Sequence, residues 1–475
     1  MTTDVGLIAE AEEAIHQSRE HPPQDTGPLP NPLYSWYMMS ALLVCSIFSS
    51  LDRQIMSLLI EPMKHDLNFS DTQISLLHGF AVAVFYAAMG ISIGRIVDSR
   101  RRISIVAGGV ALWSTMTALC GTVQSFWHLF IFRMGVGIGD ATLTPSSYSL
   151  ISDSFEAKRL GFAMAIFATG FLLGSGIALL IGSQILHTLE GLEGVSLPLL
   201  GPVYSWQLVF LIVGAPGILI ALWVLNIREP KRRGSLRMKQ LADGTSVLGG
   251  VTLKETFAYI RQNARTFLCM NIAISFIAIH GYGSGAWIPT FLIRSHGYTA
   301  VEAGRSVGLI VAFSGTIGVL FGGLLGDWFA KRGMRNGRLI ALGLVGIFTA
   351  PFTFLYPVVD SAAMALWLLV PTYFFTSFAA ANWSASLAEM MPNQMRGVAV
   401  AIGYLMLNLL GAGFGPTLIA LVTDYVFMDE MMLRYSLQIV VTIVMLASSV
   451  FAFIAAGSWV RTMNNVAAWG KEHGN

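Results

Sequence analysis

Twelve stretches of this chain are long and apolar enough to cross a bilayer, and that property removes most folds from consideration. A helix needs about 20 apolar residues to cover the hydrocarbon core. The segments near 34–60, 76–97, 103–123, 126–151, 160–186, 205–227, 266–293, 302–329, 338–357, 363–390, 396–424 and 434–461 each supply them. A bilayer offers no water to free backbone groups, so spans of this kind are helical, and the chain is predicted to be an all-α membrane protein. Only 12% of its 475 residues are charged, against about 25% in soluble domains. A net charge of +2 gives no electrostatic case for nucleic acid.

Lys and Arg placement orients the spans, because cytoplasmic loops gather basic residues. With both termini in the cytoplasm, inner loops and tails hold all but six of the 29 Lys and Arg residues. Lys64, Arg294, Arg305 and Arg434 fall outside, and Arg53 and Arg133 fall within spans. Residues 1–33 are polar, rich in proline and without a signal-peptide pattern; they read as a disordered cytoplasmic tail, and 462–475 as a second. The one long loop, 228–265, carries Leu253, Phe257, Ile260 and Ala264 on one face of a short helix suited to the inner membrane surface. The expected organisation is therefore a six-helix bundle over 34–227, a cytoplasmic linker over 228–265 and a second bundle over 266–461.

The two halves repeat one another. After the second span the chain reads Gly94-Arg-Ile-Val-Asp98-Ser-Arg-Arg-Arg102, and after the eighth Gly323-Leu-Leu-Gly-Asp327-Trp-Phe-Ala-Lys331-Arg332. The fourth and tenth spans end on Asp153 and Glu389. Matched acids and basic clusters at matched positions imply a duplicated fold, a common plan of secondary transporters. They also define a candidate cytoplasmic gate. Asp98 is expected to meet the positive N-terminal end of the eleventh span, Arg102 to pair with Asp153, and the Lys331-Arg332 cluster to pair with Glu389. Glycines of the fifth and eleventh spans, among them Gly170, Gly174, Gly403 and Gly411, are expected to let helices approach closely.

With its twelve spans, paired Gly-x-x-x-Asp-basic loops and Arg228-Glu229-Pro230 exit, the chain resembles the major facilitator superfamily over about residues 34–461. A closer resemblance is to the spinster-like branch, through Leu51-Asp-Arg-Gln54, Trp113-Ser-Thr-Met-Thr-Ala118 and Arg133-Met-Gly-Val-Gly-Ile-Gly-Asp140. That branch more often has Glu where this chain has Asp140. The resemblance implies two pseudo-symmetric six-helix bundles, alternating access, and lysolipid- or sphingolipid-like substrates. A related branch of anion–cation symporters shares the Asp-Arg pair and a Gly-rich fourth span, and implies small organic anions instead.

Asp52, Arg53, Arg133 and Asp140 are ionisable residues inside the first half. Each costs about 2.5–3.5 kcal/mol at the centre of a span, so such groups face the bundle interior and pair. Arg133 and Asp140 share a helix face, about 10.5 Å apart. By the implied fold, the first and fourth spans line the cavity, and the four residues are expected to form one nearly neutral cluster there. Two readings stand: a static network joining the two spans, or proton coupling and substrate head-group binding. In the second, a carboxylate takes up a proton as its Arg partner moves, and Arg itself stays charged.

The second half offers His280 beside a glycine-rich run expected to loosen the seventh span. It also offers Tyr282, Trp287, Tyr373, Phe374, Phe375 and Trp383 as a substrate cavity wall for an amphipathic tail. Cys45, Cys120 and Cys269 lie in apolar runs and read as structural thiols. No span carries His-Glu-x-x-His, Gly-x-Ser-x-Gly or a close His/Cys/carboxylate group. The chain is thus read as a proton-coupled transporter, not an enzyme, without cofactor or metal. It is expected to act as a monomer in a bacterial inner (plasma) membrane. A non-transporting sensor on the same fold is the alternative from another class, and a flux assay separates the two.

Overall fold

The computed structural model describes residues 30–189, 195–197, 201–232, 238–240, 246–248, 252–392 and 394–472. Residues 1–29 of the expected tail and parts of the linker lie outside these. The first half holds α1 (Pro32–Leu58), α2 (Asp71–Ser75, Leu76–Phe80 and Ala81–Ser99), α3 (Arg102–Cys120), α4 (Phe126–Asp140 and Leu143–Ser154), α5 (Ala157–Leu189) and α6 (Ser205–Leu225). The second holds α7 (Ala264–His296), α8 (Ala300–Ile310, Val311–Gly315 and Thr316–Lys331), α9 (Gly337–Leu355), α10 (Ala362–Thr376 and Phe378–Met390), α11 (Arg396–Phe427) and α12 (Leu433–Glu472). Two three-residue antiparallel pairs, Val195–Leu197 with Gly201–Val203 and Met238–Gln240 with Ser246–Leu248, sit in connecting loops.

Among the described residues, eleven helices are long and apolar enough to span a membrane by themselves. The exception is α4, which breaks at Ala141–Thr142. Pro145 has no N–H to give to Ala141 O, and the Thr142 hydroxyl donates to Gly139 O instead (2.8 Å). Its two pieces together make the twelfth span.

Pseudo-symmetry is visible in which helices pack together. In the first half α1 lies on α5, α2 on α4 and α3 on α6; in the second α7 lies on α11, α8 on α10 and α9 on α12. The halves meet along two seams, α2 against α11 and α5 against α8. Small residues permit the close approach. A Cβ on Gly79 would lie 2.2 Å from Ala412 O across the first seam, and one on Gly176 would lie 2.8 Å from Gly308 O across the second.

The seams part toward the other end of the molecule. A Cβ added at Gly94 on α2 or at Gly397 on α11 would meet nothing within 4 Å, and one at Gly323 would reach only Ala381 of its own half, at 4.0 Å. The two bundles are therefore joined at one end and splayed at the end that carries the basic loops.

The linker helix Leu253–Gln262 starts on a capping box in which Thr252 Oγ1 accepts from Glu255 N–H and Glu255 accepts from Thr252 N–H. It buries Thr256 and Tyr259 against the second half, leaving Leu253 and Phe257 exposed on its outer face. Tyr259 Oη donates to Met390 O (3.2 Å), and burial pushes its hydroxyl up to about 12. Residues 462–472, expected as tail, instead continue α12 as helix. Asn465 donates to Asn263 Oδ1 (2.8 Å), and the Trp469 ring meets Tyr259 edge-on at 5.7 Å.

Candidate functional site

The expected four-charge cluster is divided in two. At the cavity, Arg53 Nη1 lies 3.2 Å from Asp140 Oδ2. Ser49, one turn before Arg53 on α1, donates to Asp140 Oδ1 (2.5 Å) and accepts from Arg53 Nη2 (3.3 Å). The guanidinium also sits 5.8 Å over the Phe171 ring of α5, a cation–π contact. Arg53 keeps 23% side-chain exposure against 5% for Asp140, so the cation is the member of the pair that reaches the open cavity.

Arg133 is not part of that pair. It is buried, and it donates Nη1 to the backbone oxygen of Asp52 (3.2 Å) and Nε to Leu77 O (3.2 Å). Leu77 lies in the π-helical turn Leu76–Phe80 of α2, where Ala81 N–H bonds Leu76 O rather than Leu77 O. The carboxylate of Asp52 is buried beside Thr117 and makes no ion pair within 4 Å among the described residues. The cause of the split is helical phase: Asp52 and Arg53 are adjacent, about 100° apart on α1, and only one of them can face the cavity.

Around Arg53 the lining is tyrosine. Tyr86 of α2 and Tyr282 of α7 lie within electrostatic reach of its guanidinium, and Tyr404 of α11 and Tyr148 of α4 complete the group. Tyr282 and Tyr404 are exposed. Of the aromatic wall expected from the second half, Tyr282 is at this site and Trp383 is just behind it. Trp383 meets the Tyr404 ring edge-on at 5.2 Å and donates Nε1 to Asn271 Oδ1 (3.2 Å).

Other expected wall residues lie elsewhere. His280 is 1% exposed, bonded through Nδ1 to Ser284 (2.9 Å). It lies in an unbroken α7, because Gly283 packs against Gly415 rather than opening a bend. Trp287 is buried and ties α7 to α11 by donating to Pro416 O (2.9 Å). Phe374 and Phe375 line a lateral apolar groove of about 530 Å³ between α8 and α10, with Leu309, Phe313 and Ile317. Tyr373 packs in the core of the second half.

The joined end is closed by a network that sequence reasoning missed. Asp71, fully buried in the first turn of α2, accepts from Lys64 Nζ (2.5 Å) of the short helix Ile60–Leu67, and from Arg294 Nη1 (2.7 Å) and Nη2 (2.8 Å) at the end of α7. Arg294 Nε donates to Glu61 (2.8 Å), and Glu430 accepts from Lys64 (2.6 Å). Thr72 donates its N–H and its hydroxyl to Asp424 of α11 (2.7 Å each), and Gln54 Nε2 donates to Gly285 O (2.9 Å). Lys64 and Arg294 were visible as rare basic residues at this end; their shared partner Asp71 was not.

Among the described residues, no ion pair at the splayed end joins the two bundles. Buried Arg102 pairs with Asp153 and with Glu229 Oε1 (2.9 Å), and donates to Ser149 and to Pro230 O. Glu389 pairs with Arg338, not with Lys331 or Arg332 as expected; Arg338, in the first turn of α9, also lies 3.3 Å from Asp327. Arg332 instead stacks 3.9 Å over Trp328. The side chain of Asp98 lies outside those described.

The Major Facilitator Superfamily profile matches residues 42–416. An MFS-type efflux pump of Mycolicibacterium smegmatis is 28% identical over 83% of this chain and 85% of its own. Human protein spinster homolog 1 is 24% identical over 83% of this chain and 74% of its own. Among solved structures, a bacterial homologue of the human lysosomal transporter Spinster, inward-facing and unoccupied, superposes with a TM-score of 0.73 at 26% identity, over 92% of this chain and 98% of that one.

Proposed function

Because the chain belongs to the Major Facilitator Superfamily, and within it to the spinster-like branch, we propose that this multi-pass membrane transporter is a proton-coupled secondary carrier working by alternating access. The observation that carries the reading is the Arg53–Asp140 pair, an intramembrane ion pair whose cation opens onto the cavity. Arg53 keeps its charge, so we assign the coupled proton to Asp140. When Asp140 binds a proton it becomes a neutral carboxylic acid and releases the guanidinium to an anionic group of the substrate. When it loses the proton it recaptures Arg53. With the basic loops placed in the cytoplasm, the splayed end is the cytoplasmic one and the conformation is inward-facing.

The substrate we infer has an anionic or zwitterionic head for Arg53 and the tyrosine hydroxyls, on an amphipathic, lipid-like body. A second reading, a small hydroxylated organic acid, is favoured by one observation: Phe374 and Phe375, expected to hold a tail, line the lateral groove instead. The 26%-identical L-galactonate transporter of Escherichia coli is a probable carrier of such an acid. A thermal-shift screen of lysolipids, sphingoid bases, sugars and organic anions against purified protein separates the two readings. With a ligand in hand, Asp140→Asn is expected to abolish pH-driven accumulation in proteoliposomes while counterflow exchange persists. Accumulation along an imposed proton gradient equal to wild type would remove Asp140 from the coupling role. Binding without flux would identify a sensor.

A further inference from the structure

The linker helix Leu253–Gln262 buries one stripe and leaves the other open. Thr256 and Tyr259 are buried against the second half, and Asn263, the next residue on that stripe, is buried with them. The outer stripe carries Lys254, Phe257 and Arg261 at i, i+3 and i+7, so a phenyl ring lies between two cations on one side of the helix. These three, with Ala258 and Gln262, line a shallow hollow of about 620 Å³. Leu253 and Phe257 are 60% and 54% exposed. Among the described residues neither Lys254 nor Arg261 has an ion-pair partner. The acid of this helix, Glu255, is used as a cap and accepts from Thr252 N–H (2.7 Å).

Two contacts set the height of this helix in the bilayer. Tyr259 Oη donates to the backbone oxygen of Met390, the last residue of α10, and Asn465 donates to Asn263 Oδ1, one residue before α7 begins. The helix therefore runs across the ends of two spans, along the membrane boundary rather than away from it. The start of α7 marks the same boundary: Arg265 in its first turn is exposed, and Leu268, three residues on, is 46% exposed on a membrane span. At that level apolar side chains enter the acyl margin while long cationic ones reach the phosphates. We propose that the Lys254–Phe257–Arg261 face binds the head group of an anionic phospholipid from the adjoining leaflet. Lys254 and Arg261 are separated by about 10.5 Å of helix, a gap that two long side chains close onto one phosphate, with Phe257 and Leu253 in the upper acyl region. With the basic loops in the cytoplasm, the leaflet is the inner one. Tyr259 and Asn263 fasten the helix to the second half, so the lipid anchors that half alone. The site does not depend on what the transporter carries or on proton coupling.

Two measurements on the full-length protein test this. In detergent, phosphatidylglycerol is expected to raise the melting temperature more than phosphatidylcholine does. The double variant Lys254→Gln, Arg261→Gln should need roughly fivefold more phosphatidylglycerol per lost cation for the same rise. Lys254→Arg with Arg261→Lys, which keeps both charges, should respond as the parent does. Both cations are exposed, so these variants test binding rather than folding. An unchanged lipid dependence in the double Gln variant overturns the site, because it assigns the effect to other basic residues. Inorganic phosphate is expected to give no rise; a rise equal to that with phosphatidylglycerol overturns the lipid as its ligand. The second measurement is of depth. A spin label at Ala258→Cys, in a Cys269→Ser background that leaves only the buried Cys45 and Cys120, is read in phosphatidylcholine vesicles with and without phosphatidylglycerol. Collisions with dissolved oxygen are expected to exceed those with a water-soluble nickel chelate, and the excess to grow with phosphatidylglycerol. The reverse order in both vesicles overturns the proposal and leaves a face turned to the cytoplasm, open to a protein partner.

Discussion

The two ends of the molecule are built from the same chemistry and do opposite things. At the joined end, carboxylates and cations meet across the halves: Asp71 and Glu61 come from the first half and Arg294 from the second. At the splayed end, Arg102 pairs with Asp153 and Glu229, and Arg338 with Asp327 and Glu389, all inside one half. The seam helices follow the same division. A Cβ on Gly79 would run into α11, whereas one on Gly94, on the same helix α2, would meet nothing within 4 Å. An ion pair that crosses a seam must break for the halves to rock, and one that stays within a half is carried along unchanged. The joined end is thus a latch, and the splayed end is a pair of rigid bodies. Alternating access requires the latch to be weak enough to open, and ion pairs that can exchange partners or take up water as the halves part suit that better than apolar packing alone.

The largest effect is expected from Asp71→Asn. Asp71 is the buried acceptor shared by Lys64 and Arg294, and removing one partner from a buried ion network costs about 3–5 kcal/mol. The cost falls on the joined conformation, where both cations are held, and so shifts the population toward opening at that end. Spin labels at His65→Cys and Met431→Cys, one on each half, should show a longer distance distribution in Asp71→Asn than in the parent. An unchanged distribution would mean that the seams, not the ion network, hold this end closed.

Arg102→Ala sharpens the comparison from the other side. It deprives Asp153 and Glu229 of a shared guanidinium, and a loss of about 3 kcal/mol is expected, at the low end because Glu229 is partly exposed. The loss should appear as a lower melting temperature without any change in the His65→Cys to Met431→Cys distance, because no described pair across the halves is touched. A change in that distance would show that the first-half cluster communicates with the latch and is not a rigid-body contact.

How much of this was legible in the sequence follows from what each signal encodes. Span number was readable because it depends on length and apolarity alone. The duplicated halves were readable because Asp98 and Asp327 stand at matched positions. The break in α4 had a visible cause in Pro145, yet one proline in an apolar run is tolerated in membrane helices and does not announce a break. Asp71–Arg294 was not readable: the two residues are 223 positions apart, and nothing local says which acid a distant arginine will meet. Phe374 and Phe375 were assigned to the cavity because lipid and protein core are both apolar, so an aromatic stripe carries no sign for inward or outward. Tyr86, Tyr148 and Tyr404 were overlooked for a related reason, since tyrosine in membrane proteins is expected first at the interfaces. The split of the charge cluster was implicit in the adjacency of Asp52 and Arg53, which places their side chains about 100° apart.

The smallest effect, and the one that tests the splayed end directly, is expected from Gly94→Ala. In this conformation the new methyl group meets nothing within 4 Å, and replacing a mid-helix glycine by alanine favours the helix by up to about 1 kcal/mol. Melting temperature should therefore hold or rise slightly. The conformation with the opposite end closed is different. Pseudo-symmetry predicts that α2 there comes against α11 at this end as closely as Gly79 now does at the other, where an added Cβ would lie 2.2 Å from a backbone oxygen. In that state the methyl group of Gly94→Ala forces the seam apart. The variant should accordingly bind a ligand found in the thermal-shift screen as well as the parent does, yet exchange it more slowly across proteoliposomes. Unchanged exchange, together with unchanged binding, would mean that the splayed end closes without bringing α2 and α11 into contact at Gly94, and that the two ends are not mirror images of one another.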